Sequence, residues 1–232
     1  MWKHGNDRQA LRVVLTPLLT ALAVLVWYTP GLSDAWRYEQ ARGLDQAWRL
    51  LTCHWVHWTG GHLFWSGGAF LILGAACEEL GRWRYLVCVA ASAVLIPLGL
   101  AYWTPDLATY GGLSGIDSAF FGMLAVAMAR DSLAARRWYG VALVGLLCVG
   151  FAVKIGYEMV TGTAAFVGPT DAMVPVPLAH IIGMVVGLAV GAGGWWVDRA
   201  AKRETWGEAV PDARRRLHPG TVSPHVTLRS WV

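Results

Sequence analysis

Residues 112–130 read GLSGIDSAFFGMLAVAMAR, and this stretch decides the solvent in which the chain folds. From Ile116 to Ala129 only Asp117 is charged, so the run has the length and apolar character of a membrane-crossing helix. Its beginning is polar, with Ser114, Asp117 and Ser118 set among Gly111, Gly112 and Gly115. Polar and ionisable side chains are costly inside a bilayer, which makes each of them a functional candidate. A second apolar stretch opens in the same manner with Ala179-His180-Ile181-Ile182-Gly183, 66 positions further on (180 − 114). A serine and a histidine at matching helix starts suggest a nucleophile and its base.

The rest of the chain supports a membrane setting. Its 232 residues are 56% hydrophobic and 15% charged, with 14 tryptophans and a mean hydropathy of +0.44. A water-soluble domain carries about 25% charged residues. Six stretches approach the length needed to cross a bilayer, at about 11 to 28, 62 to 80, 83 to 103, 112 to 130, 138 to 161 and 178 to 197. The expected fold is therefore all-α, a polytopic bundle of six transmembrane helices over residues 11–197. A short cytoplasmic N-terminus, residues 1–10, precedes it, and a basic, unstructured cytoplasmic tail, residues 198–232, follows.

Charge sets the orientation, because cytoplasmic loops hold the excess of Lys and Arg. With both termini inside, 15 of the 19 basic residues fall on the cytoplasmic side, leaving Arg37, Arg42, Arg49 and Lys154. The net charge of +4 reads as a topology signal rather than as a nucleic-acid surface. The first apolar stretch lacks a small-residue cleavage site after Tyr28-Thr29-Pro30, so it is expected to be a retained helix. Arg214, Arg215 and Arg216 are too few to argue for a lipid-binding tail.

Between the first two stretches, residues 31–61 contain Trp36, Trp48, Trp55 and Trp58. Tryptophan favours the headgroup level, so this segment is expected in the outer interface, either as an anchoring belt or as a substrate-guiding element. His54, His57 and His62 follow, and His62 shares a helix face with Ser66 one turn later. Three histidines invite a metal or haem reading, but the ligand spacing of a zinc or iron site is missing and the next histidine is His180. Cys53, Cys77, Cys88 and Cys148 show no ligand spacing either. No metal or cofactor is expected.

Gly112 and Gly115 around Ser114 permit a tight turn and close backbone approach. A serine in the first turn of a helix has free backbone N–H groups beside it and the positive end of the helix dipole behind it, both useful for an oxyanion. A helix cap or a packing face is the plainer reading of the same residues. Ala179, Gly183, Gly187 and Gly191 recur every fourth residue, a stripe that lets another helix come very close beside His180. Both helices enter from the outer side, so Ser114 and His180 start at similar depth. Glu78 and Glu79, near Arg82 and Arg84, read as a solvated cytoplasmic turn, and Lys154 with Glu158 reads as an i, i+4 ion pair lining a cavity or gate.

Taken together, Trp48-Arg49, His57 and His62, Gly112-Leu113-Ser114-Gly115, and Ala179-His180 with its glycine stripe resemble the rhomboid intramembrane serine proteases, most closely their rhombosortase branch. The resemblance covers residues 11–197. It implies a Ser-His dyad without a third carboxylate: Ser114 as nucleophile, His180 as base and then acid, and His62 with the Ser114 N–H as oxyanion donors. His57 and Arg49 would shape the surroundings. It also implies an outer-face site in the inner (plasma) membrane and a substrate held by a C-terminal anchor helix with a Gly-Gly-type tail, with lipid as the other partner and no nucleic acid.

Two positions depart from that pattern. Ser66 stands where many rhomboids have asparagine and keeps a hydroxyl donor for the oxyanion on a shorter arm, and Ser118 stands where many place an aromatic ring against the catalytic histidine. Asp117 is expected either to bond His62, Ser66 or His180 as an orienting group, or to point to Lys154 or water. A client-binding pseudoprotease and a haem or metal carrier are the alternative functions.

Overall fold

The computed structural model describes residues 13–165 and 175–208; the expected cytoplasmic N-terminus and most of the expected tail, including Arg214 to Arg216, lie outside these. Six main helices run through the described residues: α1 (Leu15–Tyr28), α4 (Gly60–Leu80), α5 (Arg82–Trp103), α6 (Ser114–Ala134), α7 (Trp138–Thr161) and α8 (Pro177–Glu208). Residues up to Gly194 form one compact unit, and from Trp195 the helical continuation of α8 belongs to a second. The all-α, polytopic character expected from composition is what the fold shows.

Four helices, α4, α5, α7 and the part of α8 up to Gly194, are long and apolar enough to cross a membrane. At 14 residues, α1 is shorter than a full span. The stretch read first, α6, has 21 residues but is less apolar, with Asp117 near its start and Arg130 and Asp131 near its end. Its position explains why that is tolerated. Gly115 to Phe120, Gly122, Met123 and Ala125 are all buried, so α6 presents protein rather than lipid to its neighbours. Phe120 stacks on Tyr85 of α5 at 5.2 Å and tilts against Phe70 of α4 at the same distance, filling the centre of the bundle. Van der Waals packing of this kind holds membrane helices together where the hydrophobic effect contributes little between them.

The seam between α6 and α8 is closer still. A Cβ added at Gly183 would fall on the Gly115 carbonyl oxygen, and one at Gly187 on that of Ala119. At Gly191 it would crowd Val126 and Met123 at 3.0 to 3.3 Å. The small-residue stripe is thus the surface on which α8 rides against the backbone of α6.

One reading of the sequence is corrected here. Glu78 is not part of a solvated turn but is buried against the start of α1. Its carboxylate accepts hydrogen bonds from the backbone N–H groups of Val14 and Leu15, both at 3.1 Å, and from the N–H and hydroxyl of Thr16, both at 3.0 Å. Helix α1 has no side-chain cap of its own, and the first N–H groups of any helix lack internal partners. Glu78 supplies them from 63 residues away, and its negative charge suits the positive end of the α1 dipole.

The segment between α1 and α4 folds as an ordered cap: α2 (Leu32–Trp36), strand β1 (Tyr38–Glu39), a 3-10 stretch (Gln40–Gln46), α3 (Trp48–Thr52) and a second 3-10 turn (Cys53–Trp55). Arg49 lies at its heart, buried, with Nη1 donating to the carbonyls of Asp34 at 2.9 Å and Arg37 at 2.7 Å. Strand β1 pairs antiparallel with β2 (Thr109–Tyr110), matching Tyr38 to Tyr110 and Glu39 to Thr109. This small sheet ties the cap to the loop that leads into α6, and the Gly112 N–H donates to the Cys53 carbonyl at 3.1 Å. The cap therefore determines where Ser114 begins.

Candidate active site

Ser114 is the first residue of α6, and the turn before it depends on Gly112, whose φ of 128° is a conformation that L side chains rarely adopt. The His62 imidazole lies over this glycine: a Cβ there would sit 2.8 Å from His62 Cε1, 2.9 Å from Nε2 and 4.0 Å from Ser114 Oγ. His62 is in turn placed by the α4 N-cap, where Thr59 Oγ1 accepts from the His62 N–H at 3.0 Å. His57 stands edge-on to His62, with ring centroids 4.9 Å apart, and its Nδ1 donates to the Trp55 carbonyl at 3.2 Å. A Cβ at Gly115 would meet Ile96 Cδ1 of α5 at 2.8 Å, Tyr110 Oη at 3.1 Å and the Ala179 carbonyl of α8 at 3.3 Å.

His180, in the first turn of α8, is buried beside the head of α6. Its Nδ1 lies 3.1 Å from Ser118 Oγ and 3.3 Å from the Ser114 carbonyl oxygen. Ser118 donates its own hydroxyl hydrogen to that carbonyl at 2.9 Å, which leaves an oxygen lone pair for the imidazole. Two acceptors around Nδ1 assign the hydrogen to that nitrogen, and Nε2 carries the lone pair. On the other side, Lys154 Nζ of α7 stands 3.0 Å from Nε2 and 2.8 Å from Glu158 Oε2, while Glu158 Oε2 is 3.8 Å from Nε2.

Ser66 and Asp117 form a separate pair. Ser66 Oγ donates to Asp117 Oδ2 at 3.1 Å, with both residues buried. Of the partners expected for Asp117, the structure gives Ser66; the hydroxyl expected as an oxyanion donor has its single hydrogen committed to this carboxylate.

The three histidines around the start of α4 have different partners. His54 Nε2 donates to the Ala93 carbonyl at 3.1 Å, and its ring stands edge-on to Tyr110. Burial pushes the His54 imidazole down to about 4 and that of His57 down to about 3, so both are neutral at ordinary pH. Burial likewise pushes the Cys53 thiol up, which makes it inert. Among the described residues no group of three or more His, Cys, Asp or Glu side chains is placed to share an ion.

A cavity of about 680 Å³ opens between α4, α6 and α7 at the start of α8. Ser114, Asp117, Ser118, Lys154 and His180 form its polar wall, with Trp65 and Phe151 on the apolar side. The site combines a hydroxyl, a neutral imidazole and backbone N–H groups at a helix start, next to an apolar space. Such a set can carry acyl transfer from a peptide bond.

Two contacts escaped the sequence reading: the bond from Ser118 to His180 and the reach of Lys154 to the same ring. The available signal for the second was the Lys154 and Glu158 pair in an otherwise apolar helix. A family model described as Rhomboid domain matches residues 44–196, which is 153 of the 232 residues (196 − 44 + 1). No curated protein matches the chain.

Proposed function

This chain belongs to the rhomboid family, whose members are intramembrane serine proteases, and from that membership we propose that Ser114 is its nucleophile and His180 its general base. The observation that carries the reading is the grip on Nδ1 of His180 by Ser118 Oγ and the Ser114 carbonyl, which leaves Nε2 as the proton acceptor. In the proposed reaction Ser114 Oγ attacks the scissile carbonyl while its hydrogen passes to Nε2. The imidazolium then protonates the leaving amine, the C–N bond breaks, and a water molecule activated by the same nitrogen hydrolyses the acyl-enzyme.

His62 and the Ser114 N–H are the oxyanion donors in this reading. Support comes from the lie of the His62 ring over Gly112, two residues before Ser114, and from the position of the Ser114 N–H at the head of a 21-residue helix. Gly112 and Gly115 are needed because a side chain would displace His62 at the first and crowd Ile96 and Tyr110 at the second. Asp117 is a positioning partner of Ser66.

The substrate in this proposal is a single-pass protein anchored by a C-terminal helix and cut near the outer face of the inner membrane, with both termini of the enzyme in the cytoplasm. The rhombosortase-like residues further suggest a Gly-Gly-type sorting tail. The apolar cavity beside Ser114 suits an extended, small-residue segment next to such a helix. Co-expression with a Gly-Gly-tailed membrane protein tests the assignment, with cleavage by the native chain and none by Ser114→Ala or His180→Ala. Equal processing in all three strains would favour the client-binding alternative and end the protease reading.

A further inference from the structure

The dyad proposed above leaves Lys154 unexplained. Its ammonium is 3.0 Å from Nε2 of His180, the nitrogen that must receive the serine hydrogen. With Nδ1 protonated, Nε2 has a single lone pair, and a bond accepted from Lys154 fills it. The same lone pair is unable to accept from Ser114 Oγ at that moment. Glu158, one turn further along α7 and 2.8 Å from Nζ, anchors the ammonium in place.

The helix that carries Lys154 is loosely held. Only Val144, Ile155 and Glu158 of its 24 residues are buried. Cβ atoms added at Gly145, Gly150 or Gly156 would find nothing within 4 Å. Phe151 stacks on Phe121 of α6, with centroids 5.5 Å apart. Phe151 and Lys154 both line the cavity that a substrate has to enter.

We propose that Lys154 is a latch on the general base: its ammonium caps Nε2 of His180 in the resting protein, and Ser114 becomes reactive only after that side chain swings away. This rests on the assignment of Ser114 and His180. Glu158 can keep the ammonium paired after release, so opening breaks one hydrogen bond without stranding a charge in the membrane. A chain occupying the cavity beside Phe151 competes for the space that Lys154 crosses to reach His180, which couples release to substrate entry.

A fluorophosphonate probe, which modifies only an activated serine hydroxyl, tests the latch on the full-length chain in detergent. Lys154→Met is expected to label at Ser114 about tenfold faster than the native chain, since a hydrogen bond to a charged group is worth that factor or more. Ser114→Ala provides the background. A structural role for Lys154 would slow labelling instead. Ser114-dependent labelling of the native chain that is unchanged or slower in Lys154→Met overturns the latch and leaves the dyad standing. Absence of Ser114-dependent labelling in both chains overturns the two together. If thermal unfolding shows Lys154→Met to be misfolded, Lys154→Gln decides: a neutral amide caps Nε2 more weakly than an ammonium, so labelling should accelerate, and an unchanged or slower rate overturns the proposal.

Discussion

Ser118 Oγ and His180 Nδ1 stand 3.1 Å apart although 62 residues separate them, and this contact decides which imidazole nitrogen holds the hydrogen. A buried carboxylate does this work in a catalytic triad. Here a hydroxyl and a main-chain carbonyl share it, so no charge has to be buried behind the ring.

Replacing Ser118 by alanine removes one of the two acceptors for Nδ1 and keeps the Ser114 carbonyl at 3.3 Å. The expected result is a fall in kcat of about 5- to 15-fold with KM little changed, the value of one ordinary hydrogen bond. Ser118→Thr should restore most of the rate. An alanine variant as active as the native chain would show that the carbonyl alone orients the ring.

Ser66→Ala leaves Asp117 Oδ2 without its 3.1 Å donor. A buried carboxylate losing a hydrogen bond should cost about 1 to 3 kcal/mol of stability, visible as a lower Tm in detergent. Because the Ser66 hydrogen points to Asp117, kcat at a temperature where the variant is folded should fall less than about tenfold, well short of the 100- to 1000-fold loss of an oxyanion donor. A larger drop in a folded variant would return Ser66 to the oxyanion site. Asp117→Asn retains an oxygen acceptor for Ser66 and should keep most of the turnover.

Glu78→Ala strips α1 of the partner that satisfies three backbone N–H groups and the Thr16 hydroxyl. Each buried donor left unpaired costs about 1 to 3 kcal/mol, so this variant should unfold at clearly lower temperature and expose α1 to protease. Glu78→Gln keeps one carbonyl oxygen and should lie between the two. A native-like Tm for the alanine variant would show that water reaches the start of α1.

Stability should fall with acid. His54 and His57 are held near 4 and 3 in the folded protein, below the 6.5 of a free imidazole. Above about pH 6.5 both states are neutral and these groups leave stability unchanged. Below it the unfolded chain binds protons that the folded one refuses, so each histidine costs about 1.4 kcal/mol per pH unit until its folded value is reached. Thermal unfolding at pH 7.5 and 5.0 should show the loss, and His54→Asn, which can still donate to Ala93, should flatten it. Equal Tm at both pH values would mean that the imidazoles are solvated.

Gly183→Ala places a methyl group on the Gly115 carbonyl oxygen and has to push α8 away from α6. The chain should still enter the membrane, because its apolar lengths are unchanged, but His180 would move relative to Ser118 and Ser114. A displacement near 1 Å is enough for about a 100-fold loss of activity. Gly156→Ala, where a Cβ meets open space, should be silent.

Where the chain could be read without its fold, the reading rested on run length and composition. The membrane as solvent, the apolar helices and the stripe from Ala179 to Gly191 follow from local order, since helix periodicity puts every fourth residue on one face. The family resemblance likewise came from short motifs around Ser114 and His180. The partners of individual polar groups did not. Glu78 looked solvated because its neighbours Glu79, Arg82 and Arg84 are charged, whereas its contact is with Val14, Leu15 and Thr16 across the bundle. Ser118, Ser66 and Lys154 could each face several neighbours, and helix rotation of a few tens of degrees selects among them. That rotation is set by packing of whole helices: the bare backbone seam between α6 and α8, the Phe120 stack and the β1–β2 tie above Ser114. Composition determined that the protein lies in a membrane and which residues are costly there; only the tertiary contacts decided which of those residues meet, because hydrogen bonds act over about 3 Å and the separations along the chain say nothing at that scale.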